Sequence, residues 1–282
     1  MPTVDSQPTI QDDGQFTPEV GEWAERKYRL IAYYAEMFAT SMKAKWASRV
    51  YIDLFAGAGR GRIKGTSRIV ETSTMLALGV RNPFDRYIFC DIDPGCIGAL
   101  RARVGEDHRD MDVRLLTGDS NDLVDEILGH VPAYRPGKGV LSFCVLDPYN
   151  LGNLKFETFE RLSSIFVDFL VLISSHMDGN RNERLYTAPD NTTLAEFLGK
   201  PDWRDEWSNA RGRFGNFIVD QFGKSMSRLG FGYDGPQDVV QIKYPQKNVT
   251  LYHLAFFSKS ELGRKFWRQA RKYSDDQLDL FG

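Results

Sequence analysis

At 282 residues the chain is long enough for one large α/β domain, or for a domain of about 200 residues carrying an insertion. Hydrophobic residues make up 42% and charged residues 26%, which excludes wholesale disorder and the fibrous classes. The formal net charge of -2 excludes a global basic field of the nucleic-acid-binding kind, although a local basic face stays open. Three cysteines, Cys90, Cys96 and Cys144, fit neither a disulfide framework nor a zinc pattern. Cys90 and Cys144 lie inside apolar runs and read as inert buried thiols. No apolar stretch is long enough to span a membrane, and the polar N-terminus lacks the apolar core of a signal peptide, so a cytoplasmic protein is expected.

Residues 1–16 are rich in Gln, Asp, Thr and Pro and read as a flexible tail. A single domain is expected over 17–273. Thr17-Pro18-Glu19 has the composition of a helix start, and Trp23, Tyr28, Ile31, Tyr34, Ala35 and Phe38 recur at helical spacing up to about Lys43. Short apolar runs then alternate with helical segments. Strands are expected at Arg49–Phe55, Arg86–Cys90, Val113–Thr117, Gly139–Leu146 and Phe166–Ser174. Helices are expected at Val70–Val80, Gly95–Val104, Leu123–Leu128 and Phe156–Ile165. Near-continuous apolar strands alternating with helices imply a Rossmann-like α/β fold whose mostly parallel sheet is covered on both faces. The alternation lapses at about 175–215, a charged stretch holding Trp203 and Trp207 that reads as a lid or insertion with one or two helices. It resumes with a helix at Phe217–Leu229 and two strands, Val239–Tyr244 and Thr250–Phe257, joined by turn residues into a C-terminal antiparallel hairpin. A last helix at Leu262–Tyr273 precedes an acidic tail at 274–282.

Ligands in such sheets bind at the carboxyl ends of the strands, where this sequence places its acids. Asp53 ends the first strand and precedes Phe55, Gly57, Gly59 and Gly61, glycines that let backbone approach a ligand. An acid there suits a ligand ammonium and repels a pyrophosphate, which argues against a nicotinamide-dependent oxidoreductase. Asp91 ends the second strand and can accept both hydroxyls of a ribose, while Asp93 suits a turn or N-cap. Asp119, followed by Ser120, could accept from an adenine amino group or cap the next helix. Asp147-Pro148-Tyr149-Asn150 is either a turn or a reaction centre in which the carboxylate holds a planar amino group and Tyr149 stacks on a base. His176 and Arg181 follow the fifth strand, as a base and a phosphate contact or as parts of a loop held by local hydrogen bonds.

The order Asp53-x-Phe55-Ala56-Gly57-x-Gly59, Asp91, Gly118-Asp119, Asp147-Pro148 resembles the class I S-adenosylmethionine-dependent methyltransferases. More narrowly, Lys27-Tyr28-x-Leu30, the glycine loop, the Asp-Pro-aromatic segment and Ser175-His176-Met177-x-Gly179-Asn180-Arg181 resemble the three-Cys-motif partner family. The resemblance covers about Trp23 to Phe257 and departs at Asn150, where the family pattern has Gly. It implies S-adenosylmethionine as cofactor, with Asp53, Phe55, Gly57, Gly59, Asp91, Asp119 and Ser120 around it. Asp147, Pro148, Tyr149 and His176 are then the candidates for catalysis. It also implies a partner protein bearing a three-cysteine, radical-type iron–sulfur motif.

At the chain's end, Gln277-Leu278-Asp279-Leu280-Phe281 matches the pentapeptide with which many bacterial replication and repair proteins dock on the sliding clamp. The same residues could instead end a helix with Leu280 and Phe281 packed on the core. Arg181, Arg184, Arg204, Arg211 and Arg213, interleaved with Trp203 and Trp207, suit a phosphate backbone with stacked bases or, equally, a solvated helix with Trp in the core. Two function classes therefore stand side by side: a methyltransferase acting on nucleic acid in DNA repair or modification, and a non-catalytic partner subunit that uses the same fold for recognition.

Overall fold

The computed structural model describes residues 10–235, 239–244 and 249–279. In chain order these form β1 (Glu19–Val20), α1 (Ala24–Met42), β2 (Ser48–Asp53), β3 (Arg60–Ile63), β4 (Ile69–Glu71), α2 (Ser73–Leu78), β5 (Arg86–Asp91) and α3 (Pro94–Asp107). There follow β6 (Val113–Thr117), α4 (Val124–His130), β7 (Val140–Leu146), α5 (Phe156–Leu162), β8 (Val167–Ile173) and a π-turn (Ser175–Asn180). The chain continues through α6 (Glu183–Thr187), α7 (Thr193–Leu198), α8 (Trp203–Asn209), α9 (Phe214–Arg228), β9 (Val240–Tyr244), β10 (Val249–Phe257) and α10 (Glu261–Asp279).

Among the described residues the main sheet has seven strands in the order β6-β5-β2-β7-β8-β10-β9. The pairs from β6 to β8 are parallel, and β10 runs antiparallel to both β8 and β9. This is the expected Rossmann-like α/β architecture, a mostly parallel sheet with its C-terminal antiparallel hairpin. Every residue of β7 and β8 is buried, because helices cover both faces of the parallel part. On one face Tyr34 and Phe38 of α1, Leu78 of α2, Leu100 of α3 and Trp267 of α10 pack over Tyr51, Phe143 and Leu170. On the other, Ile127 of α4, Phe159 of α5, Phe197 of α7 and Phe222 of α9 pack over Ile52, Cys144 and Phe169. The order reverses between β2 and β7, so their carboxyl ends, Asp53 and Leu146, flank the crevice where such sheets bind ligands.

Several boundaries differ from the sequence reading, each for a physical reason. The helix does not start at Thr17. Instead β3 and β4 form a ribbon whose open edge takes the Pro18–Val20 backbone, with Arg62 N donating to Pro18 O at 2.9 Å, and α1 begins only at Ala24. Gly61 serves this contact rather than a ligand, since a Cβ there would lie 2.8 Å from Val20 Cγ1. Because Ile69–Glu71 belongs to β4, the helix expected over Val70–Val80 shrinks to Ser73–Leu78. Part of the stretch read as a tail is pinned: Asp13 pairs with Arg60 and with the buried Arg103, and Asp12 pairs with Arg62.

The 175–215 segment contains three short helices and is not a free lid. Leu194, Phe197, Leu198 and Trp203 are wholly buried against the α5 side of the sheet. Arg204 stacks 4.7 Å from the Trp203 ring and donates to the carbonyls of Tyr186, Ala188 and Asn191, so this Arg–Trp pair is structural. The helix α10 continues past Tyr273 to Asp279, through part of the stretch read as an acidic tail. Leu280 and Phe281 lie outside the described residues. Cys90, Cys96 and Cys144 are free and buried, and burial pushes the Cys90 and Cys96 thiols up to about 12. None of the described helices is long and apolar enough to cross a membrane.

Candidate functional site

The first βα loop is held from below and from the side. Asp53 is fully buried, with Oδ1 accepting from Phe55 N at 3.1 Å and Oδ2 from the Ser73 hydroxyl at 2.7 Å. Burial raises its carboxyl to about 7 against the pull of those hydrogen bonds. Asp53 therefore ties the loop to α2. Its two oxygens face protein donors, and it does not line the cleft, where direct contact with a ligand ammonium was expected. Gly57 and Gly59 turn the loop at φ +61° and +84°, in the left-handed region that glycine tolerates. Gly57 N donates to Asp91 Oδ2 at 2.7 Å, and Asp93 N donates to Asp91 Oδ1 at 2.9 Å. Asp91 thus braces the glycine loop from the neighbouring strand. Asp93 accepts from Gly95 N and is the N-cap of α3, one of the two roles expected for it.

Asp119 Oδ1 accepts from both the backbone and the side-chain nitrogen of Asn121, at 2.8 and 2.7 Å. Asn121 Oδ1 in turn accepts from Lys155 N and the Thr158 hydroxyl, so Asp119 anchors a network reaching α5. Asp119 is not the cap of the next helix, whose N-cap is Leu123; its carboxylate instead closes a local turn onto Asn121. Ser120 is buried beside it, and neither residue lines the cleft.

That cleft, of about 320 Å³, opens at the carboxyl ends of β5 and β7. Phe55, Asp91 and Ile92 line one part of it and Asp147, Pro148 and Tyr149 another; Lys27, Tyr28 and Tyr252 also line it, with Asn153 and Leu172. Its volume falls within the range of small-molecule sites, about 300–1,000 Å³. Tyr149 is 90% exposed and packs on nothing that would explain it as a core residue. Asn150 forms a capping box with Asn153, which shapes the turn after Tyr149.

Sequence reasoning assigned no role to the residue that dominates the electrostatics here. Lys27 forms an ion pair with Asp147 inside the cleft, the two side chains 12% and 14% exposed. Burial is the largest single influence and disfavours the Lys27 charge, but the charge and hydrogen bond of Asp147, together with Tyr28 and Tyr252, raise the ammonium above its ordinary value. The ammonium also lies 4.7 Å from the Tyr28 ring centroid. The signal was present in the sequence: Lys27 sits on the stripe 27, 31, 34, 38, the apolar face of α1, where a charge needs a partner. With Asp91, Asp147 and Lys27 the cleft carries two carboxylates against one ammonium, an excess of one negative charge.

His176 is not at this cleft. Its Nδ1 lies 3.1 Å from the Ser175 hydroxyl, which is also 2.6 Å from Nδ1 of the buried His253 on β10. His176 lines a second cleft with Arg181, Trp207 and Arg213. The π-turn that carries it is fixed by Asp178, whose Oδ2 accepts from Leu151 N and from the Tyr186 hydroxyl, both at 2.7 Å. The turn after Tyr149 and the segment after β8 are thereby one connected unit.

No family model matches the chain, and no curated protein does. Among solved structures, a protein from Legionella pneumophila is 10% identical, with 84% of this chain and 88% of that one covered and a TM-score of 0.46. An O-methyltransferase from Bacillus cereus in complex with S-adenosylhomocysteine is 10% identical over 80% of each chain, with a TM-score of 0.45. Trm1 from Pyrococcus horikoshii, in complex with S-adenosyl-L-methionine, is 12% identical, covering 84% of this chain and 57% of that one, with a TM-score of 0.45.

Proposed function

We propose that the cleft between the glycine loop and Tyr149 binds S-adenosylmethionine and that the protein transfers its methyl group to a nucleic-acid base. The observation that carries this reading is the facing pair of carboxylates, Asp91 and Asp147, set at strand ends on either side of the switch point beside a left-handed glycine loop. Asp91 fits a ribose diol: each of its oxygens accepts one backbone N–H and keeps a further lone pair. The net negative cleft favours a cationic sulfonium ligand over a pyrophosphate-bearing dinucleotide. When bound, the cofactor supplies an electrophilic methyl group.

The chain's own residues then orient the acceptor. Asp147 can accept an N–H from a planar amino group, with the Pro148 carbonyl as a second acceptor and exposed Tyr149 as a stacking face. Lys27, with its raised pKa, stays protonated at neutral pH; it holds Asp147 in place and is not a base.

The finer reading is a three-Cys-motif partner protein, working with a radical-type iron–sulfur protein in DNA repair or modification and docked on the sliding clamp by Gln277, Leu278, Leu280 and Phe281. It rests on the sequence motifs. The Lys27–Asp147 pair favours a second reading, because a carboxylate already neutralised by an ammonium suits a recognition subunit that binds cofactor without turnover. Purified protein incubated with methyl-labelled S-adenosylmethionine and DNA or RNA separates the two. Label in the polymer supports the enzyme, whereas cofactor binding without transfer supports the recognition subunit.

A further inference from the structure

Outside the first cleft, the molecule's strongest concentration of unused chemistry is the second one, of about 510 Å³ between the π-turn, the start of α9 and the first residues of β10. Arg181 and Arg213 line it, both exposed, and among the described residues neither makes an ion pair or a side-chain hydrogen bond. Two guanidiniums without carboxylate partners repel one another, and a fold gains nothing from lining one cleft with both. Asn180 lines the same cleft. Its Oδ1 accepts from Gly215 N at 2.7 Å, which fixes the amide and leaves its NH₂ without a partner among the described residues. Trp207 adds an aromatic wall, its ring held by Phe214 and Phe217 at 4.9 and 5.1 Å. Glu183 is the single carboxylate in the lining.

His176 completes the set. Ser175 has one hydroxyl proton and lies between two imidazole Nδ1 atoms, so at least one ring donates to it and His176 Nδ1 is engaged there. Nε2 is then the His176 nitrogen available to the cleft. Burial, and secondarily Arg213, lower the His176 pKa, which favours the neutral ring and its hydrogen bond. The groups facing it are His253 from β10, Arg213 from the start of α9, and Arg181 and Glu183 from the segment after the π-turn. Two forked cations, an amide donor and an imidazole outnumber the oxygens of a carboxylate and suit the several oxygens of a phosphate. The volume exceeds what a bare phosphate needs, and Trp207 offers a face to a planar group.

We propose that this second cleft binds the phosphate of a nucleotide unit, with Arg181, Arg213, Asn180 and His176 on the phosphate and Trp207 against the base or sugar. The site is separate from the first cleft, and the inference stands whether or not that cleft takes S-adenosylmethionine.

The full chain carries four histidines, so their ring signals can be followed individually by NMR. Inorganic phosphate, adenosine monophosphate and a short single-stranded oligonucleotide are each titrated in. The His176 ring is expected to shift and its pKa to rise on binding, because an anion replaces the bias set by Arg213. Arg181→Ala/Arg213→Ala should weaken binding at least tenfold, and Arg181→Lys/Arg213→Lys should weaken it less. An oligonucleotide that binds tenfold tighter than the monophosphate assigns the site to a polynucleotide backbone; equal affinities assign it to a free nucleotide. Silence of His176 towards all three probes, or equal binding by the double Ala variant with its other histidine signals unchanged, overturns the proposal.

Discussion

Lys27 and Asp147 show how one pair sets both stability and chemistry at the first cleft. Removing one partner leaves the other charge in a largely dry site, which costs far more than the pair contributes. Lys27→Met is therefore expected to destabilise the protein by about 3 kcal/mol in chemical denaturation. Lys27→Met/Asp147→Asn should recover most of that loss, a coupling that a double-mutant cycle reads directly. If Asp147 orients the acceptor as proposed, Asp147→Asn alone should lower methyl transfer far more than cofactor affinity, since the proposed ribose contact at Asp91 is untouched. Buried carboxyls leave a second signature, in pH. Burial raises Asp53 and Asp168 to about 7 each. A carboxyl raised on folding stabilises the folded state fully below its unfolded value, near 4, and that contribution is lost as pH climbs through 7. Thermal unfolding is thus expected to occur at lower temperature at pH 8 than at pH 5, and Asp53→Asn/Asp168→Asn should flatten the slope. A single shift of this size corresponds to roughly 4 kcal/mol.

Among the elements, the parallel strands and the terminal hairpin were legible because both faces of that sheet are covered, which writes each strand as an unbroken apolar run. The β1–β3–β4 ribbon was not, because its strands are two to four residues long and mix Gly and Arg with isolated Ile and Val. The 175–215 segment misled for a related reason. Leu194, Phe197 and Leu198 have helical spacing, but charges surround them over too short a span for the period to show. Within the site, strand-end acids were visible as a pattern, yet which of them face the cleft depends on local donors. Ser73 claims Asp53 and Asn121 claims Asp119, and no spacing rule shows that. Two outcomes test these elements. Trp203→Ala should cost about 3–5 kcal/mol in urea unfolding, as for a buried aromatic, where a solvated lid would lose almost nothing. A peptide spanning residues 274–282 should bind a bacterial sliding clamp with micromolar affinity, roughly -8 kcal/mol, and replacing Leu280 and Phe281 by Ala should remove it. If the same double change in the full chain lowers its thermal stability, those side chains serve the fold instead.

For the whole molecule, the sheet order brings Asp91 and Asp147 to one opening from strands that β2 separates, and the first turn of α1 delivers Lys27 to it. The second cleft lies beyond β8, where the π-turn leads away from the same edge of the sheet. Asp178 ties the π-turn to the turn after Tyr149 through Leu151 N. The central claim is that the first cleft is an S-adenosylmethionine site, and isothermal calorimetry on the intact protein tests it most directly. Wild-type protein should bind the cofactor, Asp91→Ala should lose about 1.5–3 kcal/mol, the worth of hydrogen bonds to a charged acceptor, and Asp147→Asn should lose less. Absence of binding by folded wild-type protein at millimolar S-adenosylmethionine, or undiminished affinity in Asp91→Ala, would contradict it.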